Sequence, residues 1–460
     1  MTDIESTPEE KSRLQRDWTK GSVIRNLLHL SWPMVFMETL YVISQVVDMI
    51  WIGRLGSSAI AGVGIANMVL MLVMSMDIGI IMGVRAMVSR FVGADDLTAA
   101  NHVAGQAFIL GAAWGTLIMI SGISLTGLIM GLFGVESEVV ALGTAYMRIM
   151  FAGWIALIIL VMGLYVVQSS GDTISPLMIE VLIRILHVTL CPFLVLGLWI
   201  FPYMGVRGAA LSNVISHCLG SILVLCLLFS GRTRLRLGTK DFRFSFHIML
   251  RTLKIGIPVL VMQFQRNFGN LLLTFLTAPF GTLAVAAHSL ATRVEMFFLL
   301  PGFGFGMGAG VLVGQNLGAR QPERAERNAW SAVGVLEAFL VAVSLAILLW
   351  AEYVMIIFTT DPELVALGSI FLRIATGSYV IMALVIVLQN CITGAGDTLP
   401  NMFISITMIW VIQLPLAFIL SRYTVLGVYG LRWAIVVSTF SAAIAYVIYF
   451  RLGRWKMKKI

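Results

Sequence analysis

The sequence predicts an all-α membrane protein with twelve transmembrane helices arranged as two parallel six-helix repeats. Three observations support this. Hydrophobic residues make up 59% of the chain and charged ones 12%, against roughly 45 to 50% and about 25% in soluble domains. A soluble core cannot absorb that much apolar surface. Apolar segments of at least about 18 residues recur along the chain, each long enough to cross a hydrocarbon layer of about 30 Å as a helix. Finally, the chain's punctuation repeats at a fixed interval: Pro33 and Pro258, Gly56 and Gly281, Gly93 and Gly318, and the triplets Gly171-Asp172-Thr173 and Gly396-Asp397-Thr398 are each 225 residues apart. Such rigid spacing is the mark of a duplicated unit, and facing repeats in a membrane make a cavity whose access can alternate.

The first repeat places spans near 27–50, 59–82, 101–127, 139–168, 174–199 and 206–229. Pro33 sits early in span 1, where it can open a kink and free a carbonyl. The second repeat places spans near 250–276, 283–312, 327–350, 364–394, 398–421 and 428–451, with Pro258 early in span 7. Span 8 carries Pro301, Gly302, Gly304, Gly306, Gly308, Gly310 and Gly314, a density that serves either close helix packing or a gating hinge. Near the end the register slips, because Gly205 and Gly208 match Gly427 and Gly430 at a difference of 222. One loop is therefore three residues shorter. Between the repeats lies the longest basic interruption, 231–246. Six spans are an even number, so the second repeat starts on the same side as the first, which makes the repeats parallel. The expected organisation is a tail at 1–26, a lobe at 27–230, a basic linker at 231–249, a lobe at 250–451 and a basic tail at 452–460.

The net charge of +8 is no nucleic-acid footprint, since the basic residues sit at span ends. With both termini cytoplasmic, the inner side holds 22 of them, among them Lys11, Arg13, Arg16, Arg85, Arg90, Arg324 and Lys459, and the outer loops hold only Arg54, Arg207, Arg422 and Arg432. That bias orients the chain in the plasma membrane. Met1 to Lys20 is polar and mixed in charge, so no removable signal peptide is expected. Cys191, Cys218, Cys226 and Cys391 fall inside spans and read as small buried hydrophobes rather than disulfide or metal ligands.

No Gly-x-x-x-x-Gly-Lys-Ser/Thr element occurs, so no nucleotide is cradled and no nucleotide partner is expected. A membrane-embedded enzyme would need convergent metal or acid–base groups, and the histidines at 29, 102, 187, 217, 247 and 288 are scattered without helical pairing. A scaffold gives no reason for ionisable residues at membrane depth, where each costs about 2.5 to 3.5 kcal/mol on insertion scales.

The run Leu312-Val313-Gly314-Gln315-Asn316-Leu317-Gly318-Ala319, its counterpart Val88 to Ala94, the paired Gly-Asp-Thr elements, Val47-Asp48-Met49-Ile50-Trp51-Ile52-Gly53 and Ala286-Ala287-His288 resemble the multidrug and toxic compound extrusion family. The resemblance covers nearly all of the chain. It implies a V-shaped two-lobed transporter that exports small organic, cationic or amphipathic compounds against an inward flow of protons or sodium ions, with no cofactor. Related lipid flippases line their cavities with arginines around lipid-linked phosphates, and Arg184 and Arg266 keep that anionic alternative open. The oligomeric state is not legible.

Among the ionisable residues, Glu38 and Asp48 lie ten apart on span 1 and share roughly one helix face at about 15 Å. Asp48 matches the span 1 aspartate that the family uses for cation coupling, able to exchange a proton or to ligate sodium. Other family acids are missing. Arg266 stands where one branch has an acid in span 7, and the acid of span 10 falls near Met382. His187 and Cys191 stand where another branch has an asparagine and an aspartate in span 5, just before Pro192. Tyr146 matches that branch's span 4 tyrosine, and Asn213 its small polar residue in span 6. The expected ion-coupling set is therefore Asp48, Tyr146, His187, Asn213 and Glu38, with no metal beyond sodium at Asp48. His187 is either a protonatable stand-in for the lost carboxylate or a buried neutral histidine. Arg266, Arg184 and Gln263 are the candidates for a substrate cavity. Arg184, Arg266 and Arg293 need partners, for which Glu180, Glu295 and Glu337 are available, with Arg293 and Glu295 expected as a pair. Asp77 is expected to pair with Arg85 or with another helix.

Overall fold

A computed structural model describes residues 17–458, so Lys11, Arg13, Arg16 and Lys459 of the charge bias lie outside the described residues. Among the described residues the regular structure is helical. The first repeat contains α1 Val23–Gly53, α2 Ser57–Gly93, α3 Leu97–Gly131, α4 Ser137–Ala152, α5 Trp154–Ser169, α6 Ile174–Leu196 and α7 Val206–Ser230. The second contains α8 Phe246–Thr277, α9 Thr282–Gly318, α10 Pro322–Ile356, α11 Pro362–Gly394, α12 Thr398–Ile406, α13 Leu414–Tyr423 and α14 Val428–Arg451. Among the described residues eleven helical stretches are long and apolar enough to cross a membrane, and α4 with α5, bent by 52°, makes a twelfth if the pair is taken as one span. The segment 139–168, expected as one span, is thus broken at Gly153, where a Cβ would come within 2.5 Å of Val214 Cγ2. A π segment, Thr407–Gln413, joins α12 to α13.

The duplication is visible in the backbone. Gly56 and Gly281, which precede α2 and α9, have φ 106° and 94° with ψ 173° and 170°. Gly205 and Gly427, which precede α7 and α14, have φ 55° and 51° with ψ −131° and −129°. L side chains rarely adopt such positive φ, so each pair records one turn built twice. The Gly-Asp-Thr pair has diverged in use. Asp172 Oδ1 accepts from the N–H groups of Ile174 and Ser175 at 3.1 and 3.0 Å, whereas Asp397 accepts from the Tyr449 hydroxyl and pairs with Lys458 at 3.0 Å.

The chain divides into two compact units, one made mainly of Phe36–Lys254 and the other of Thr19–Val35 with the chain from Ile255 onward. These boundaries differ from the lobes expected at 27–230 and 250–451. In the second unit, the start of α1 packs on glycines of α9: a Cβ at Gly304 would lie 2.7 Å from Val35 N and 2.9 Å from Met34 C, and Gly308 faces Ser31 with no room for a side chain. In the first unit, the start of α8 packs on α2 in the same way, with Gly83 against Thr252. Gly83 and Gly308 are themselves 225 apart. The glycine-rich α9 is one continuous helix with Pro301 inside it, and its glycines at 304 and 308 serve close packing, the usual source of helix association in lipid.

The basic stretch after α7 is docked onto α3 within the first unit. Leu235 and Leu237 are buried, and Gln106 donates to Arg243 O at 2.6 Å while accepting from Ser245 N at 2.9 Å. Arg236 N donates to Asn101 Oδ1 at 3.1 Å. Two residues assigned to the charge bias are buried within helices, Arg85 at 4% exposure and Arg432 at 2%. Each side loses one charge, so the sign of the bias stands.

Candidate coupling site

Three helices of the first unit converge on Asp48 in α1. From α6, His187 Nε2 lies 3.0 Å from Asp48 Oδ1 and the Cys191 thiol 3.6 Å from the same oxygen. From α7, Asn213 Nδ2 donates to Asp48 Oδ2 at 3.1 Å and to Ala209 O at 3.2 Å. His187 and Cys191 share one face of α6 because they are four residues apart. Pro192 follows at once and lies inside the helix, where its missing N–H releases the carbonyl of Val188. Tyr146 of α4 is buried, within electrostatic range of Asp48 and Cys191. Asp48 keeps 16% of its side-chain exposure, against 1% for His187. The carboxylate is thus reachable while its partners are sealed in the helix bundle.

Of the expected coupling residues, Asp48, Tyr146, His187 and Asn213 are brought together, and Glu38 is not. Glu38 belongs to a second group lower on the same two helices, near Glu180. Arg184 pairs with Glu180 at 2.5 Å, one helical turn away, and lies over the Tyr41 ring at 5.4 Å. His217 of α7 lies within electrostatic range of both Arg184 and His187, between the two groups. Cys191, expected to be a small buried hydrophobe, is buried and also sets its thiol against Asp48, a contact signalled in the sequence by its four-residue spacing from His187.

In the second unit, Arg266 of α8 donates to Gln389 Oε1 at 3.3 Å and lies within electrostatic range of Tyr446. Among the described residues it makes no ion pair. Gln263 is half-buried one turn before it. Phe268 stacks on Trp410 of the π segment at 5.8 Å between ring centroids, an aromatic platform that the sequence had not singled out. The expected pair of Arg293 and Glu295 does not form: Glu295 pairs with Arg432 at 2.8 Å, and Arg432 also donates to His288 O at 3.0 Å. Arg293 is exposed. Among the described residues the oxygens of Glu337 accept no hydrogen bond. Asp77 accepts from Trp114 Nε1 of α3 at 2.7 Å.

Known proteins resemble the chain over nearly its whole length. A "Probable multidrug resistance protein NorM" of Thermotoga maritima is 25% identical over 441 residues, covering 95% of this chain and 94% of the relative. An "FAD transporter" of Shewanella oneidensis is 25% identical over 426 residues, covering 92% and 93%. A solved structure described as the outward-facing conformation of a multidrug resistance MATE family transporter superposes with a TM-score of 0.88 at 25% identity, over 99% of this chain and all of that one. The MatE family model matches twice, over residues 33–193 and 258–419. Each match begins at one of the paired prolines, so the internal repeat is the family's own pattern occurring twice, and the chain belongs to the MatE family of efflux transporters.

Proposed function

We propose that the chain exports organic cations and amphipathic compounds by antiport with an inward-moving cation, and that Asp48 couples the two flows. The convergence of His187, Cys191 and Asn213 on this one carboxylate carries the reading. Asp48 and His187 lie 3.0 Å apart, so a charge arriving at one acts directly on the other. A proton arriving at the pair changes its charge and its contact with Asn213, and so biases α1 against α6 and α7. Sodium at Asp48 would act on the same contacts. Substrate cavities are mostly apolar, which leaves cargo binding less dependent on this carboxylate than coupling is. The test is dye efflux and dye binding by Asp48→Asn at matched membrane levels, with proton and sodium gradients imposed separately. Efflux driven by the coupling gradient should fall to near background while dye binding persists. Full gradient-driven efflux by the variant would refute the assignment and move attention to Glu38 and His187.

A second reading, export of anionic cargo, is favoured by Arg266, whose guanidinium donates to the amide of Gln389 and, among the described residues, makes no ion pair. The relative called an FAD transporter fits that charge, since FAD carries a pyrophosphate. Replacing Arg266 with alanine should then abolish preference for an anionic probe, and Arg266→Glu should shift preference toward cations. Unchanged profiles in both variants at equal expression would make Arg266 structural.

A further inference from the structure

We propose that Asp48, His187 and Cys191 form a three-ligand site for a soft divalent transition-metal cation, zinc or a chemically similar ion. One carboxylate oxygen, one imidazole nitrogen and the thiol sulfur all lie within 4.8 Å of one another. Four-coordinate zinc, with bonds of about 2.0 to 2.2 Å to N and O and about 2.3 Å to S, holds its N and O ligands about 3.3 Å apart and its S and O ligands about 3.6 Å apart. The corresponding separations are 3.0 Å for His187 Nε2 to Asp48 Oδ1 and 3.6 Å for Cys191 Sγ to the same oxygen. These two separations fit one ion to within a few tenths of an ångström, and the third, between His187 and Cys191, is below 4.8 Å.

A second observation points to a ligand. His187 is 1% exposed, yet among the described residues neither ring nitrogen makes an aligned hydrogen bond. Its contact with Asp48 has the distance of an ion pair without the direction of a hydrogen bond, as two ligands of one centre would. A buried imidazole left in that state is costly, and coordination satisfies it. The donor set selects the ion: sodium, magnesium and calcium take oxygen ligands, whereas imidazole with thiolate favours zinc, cobalt(II) or copper. On binding, the Cys191 thiol releases its proton to water, and the thiolate and the Asp48 carboxylate together balance the two positive charges. A neutral complex suits a site inside a membrane helix bundle. The fourth position is left for water or the Asn213 amide.

Metal binding stands apart from the coupling reading, but its effect on transport rests on it: an ion held by Asp48 and His187 displaces the coupling cation and blocks export. The experiment is a cobalt(II) titration of the purified full-length protein after removal of any metal-binding affinity tag. One ion per chain should produce a thiolate-to-cobalt charge-transfer band with the intense visible bands of a four-coordinate centre, and zinc should erase both. Cys191→Ser, nearly isosteric, should lose the charge-transfer band and bind at least about tenfold more weakly, since losing a ligand costs no less than losing an outer-shell partner. Cys218→Ser and Cys391→Ser should keep the band. Absence of the band in the unaltered protein, or its survival in Cys191→Ser, would overturn the site. In vesicles, zinc should inhibit dye efflux by the unaltered protein, and Cys191→Ser, each preparation scaled to its own zinc-free rate, should need at least about tenfold more zinc for half inhibition. Cobalt binding with zinc-insensitive efflux would leave the metal site standing and refute coupling at Asp48.

Discussion

At Glu295 two arginines compete for one carboxylate, and helix geometry decides between them. Arg293 is two residues away on α9, and positions i and i+2 point to different faces. Arg432 arrives from α14 and takes the carboxylate at 2.8 Å while 2% exposed. Removing one partner of a buried pair leaves an uncompensated charge and costs about 3 to 5 kcal/mol. Arg432→Ala should therefore sharply lower the detergent melting temperature and the membrane abundance, and Arg293→Ala, an exposed change, should stay within about 0.5 kcal/mol of the unaltered protein. A melt of the two variants side by side decides the matter, and equal losses would contradict the assignment. The same comparison shows how far the site was legible in the sequence. Asp48, Tyr146, His187 and Asn213 were readable as positions that match a motif. The thiol contact of Cys191 was signalled only by its spacing from His187, and the Arg432 pairing not at all, because each depends on which helix face meets which neighbour, and hydropathy along one strand of sequence carries no such information.

On the scale of elements, the glycines of α9 differ in what surrounds them, and substitution should sort them. A Cβ at Gly304 meets backbone atoms of α1, 2.7 Å from Val35 N and 2.8 Å from Val35 Cα, which can yield only if a helix moves. At Gly302 the nearest atom is the tip of Ile386, 3.3 Å away, and at Gly334 of α10 nothing lies within 4 Å. Gly304→Ala should cost about 1 to 3 kcal/mol by overpacking, Gly302→Ala little, and Gly334→Ala should be neutral or stabilising because alanine is the better helix former. Thermal melts of the three variants in one detergent check the order, and a Gly304→Ala melt equal to that of Gly302→Ala would mean the contact yields freely. Most spans were readable from apolar length alone. The π segment at Thr407–Gln413 and the 52° break at Gly153 escaped that reading, since a single extra residue in a helical turn and a local bend both leave the apolar run intact.

For the whole molecule, the repeat was fully legible because glycines with positive φ and helix prolines must keep their spacing when a fold is copied. Its orientation is a prediction from the basic bias. With Cys218 and Cys226 replaced, a cysteine at exposed Thr239 should be shielded from impermeant thiol reagents in intact cells, and one at exposed Ser57 should react. Labelling of Thr239→Cys from outside would reverse the topology. The composition of the units could not be read from spacing, because both prolines look like the starts of their own repeats. In fact Thr19–Val35 belongs with the second unit, and the first unit extends through the start of α8 to Lys254. That division sets a timetable for synthesis. The ribosome must make all of 36–245 and then the opening turns of the next helix before the first unit has its last piece. Meanwhile Thr19–Val35, translated ahead of 36–245, has to wait until Gly304 and Gly308 are made, so a segment made before the bulk of the first unit finds its seat only after that unit is complete.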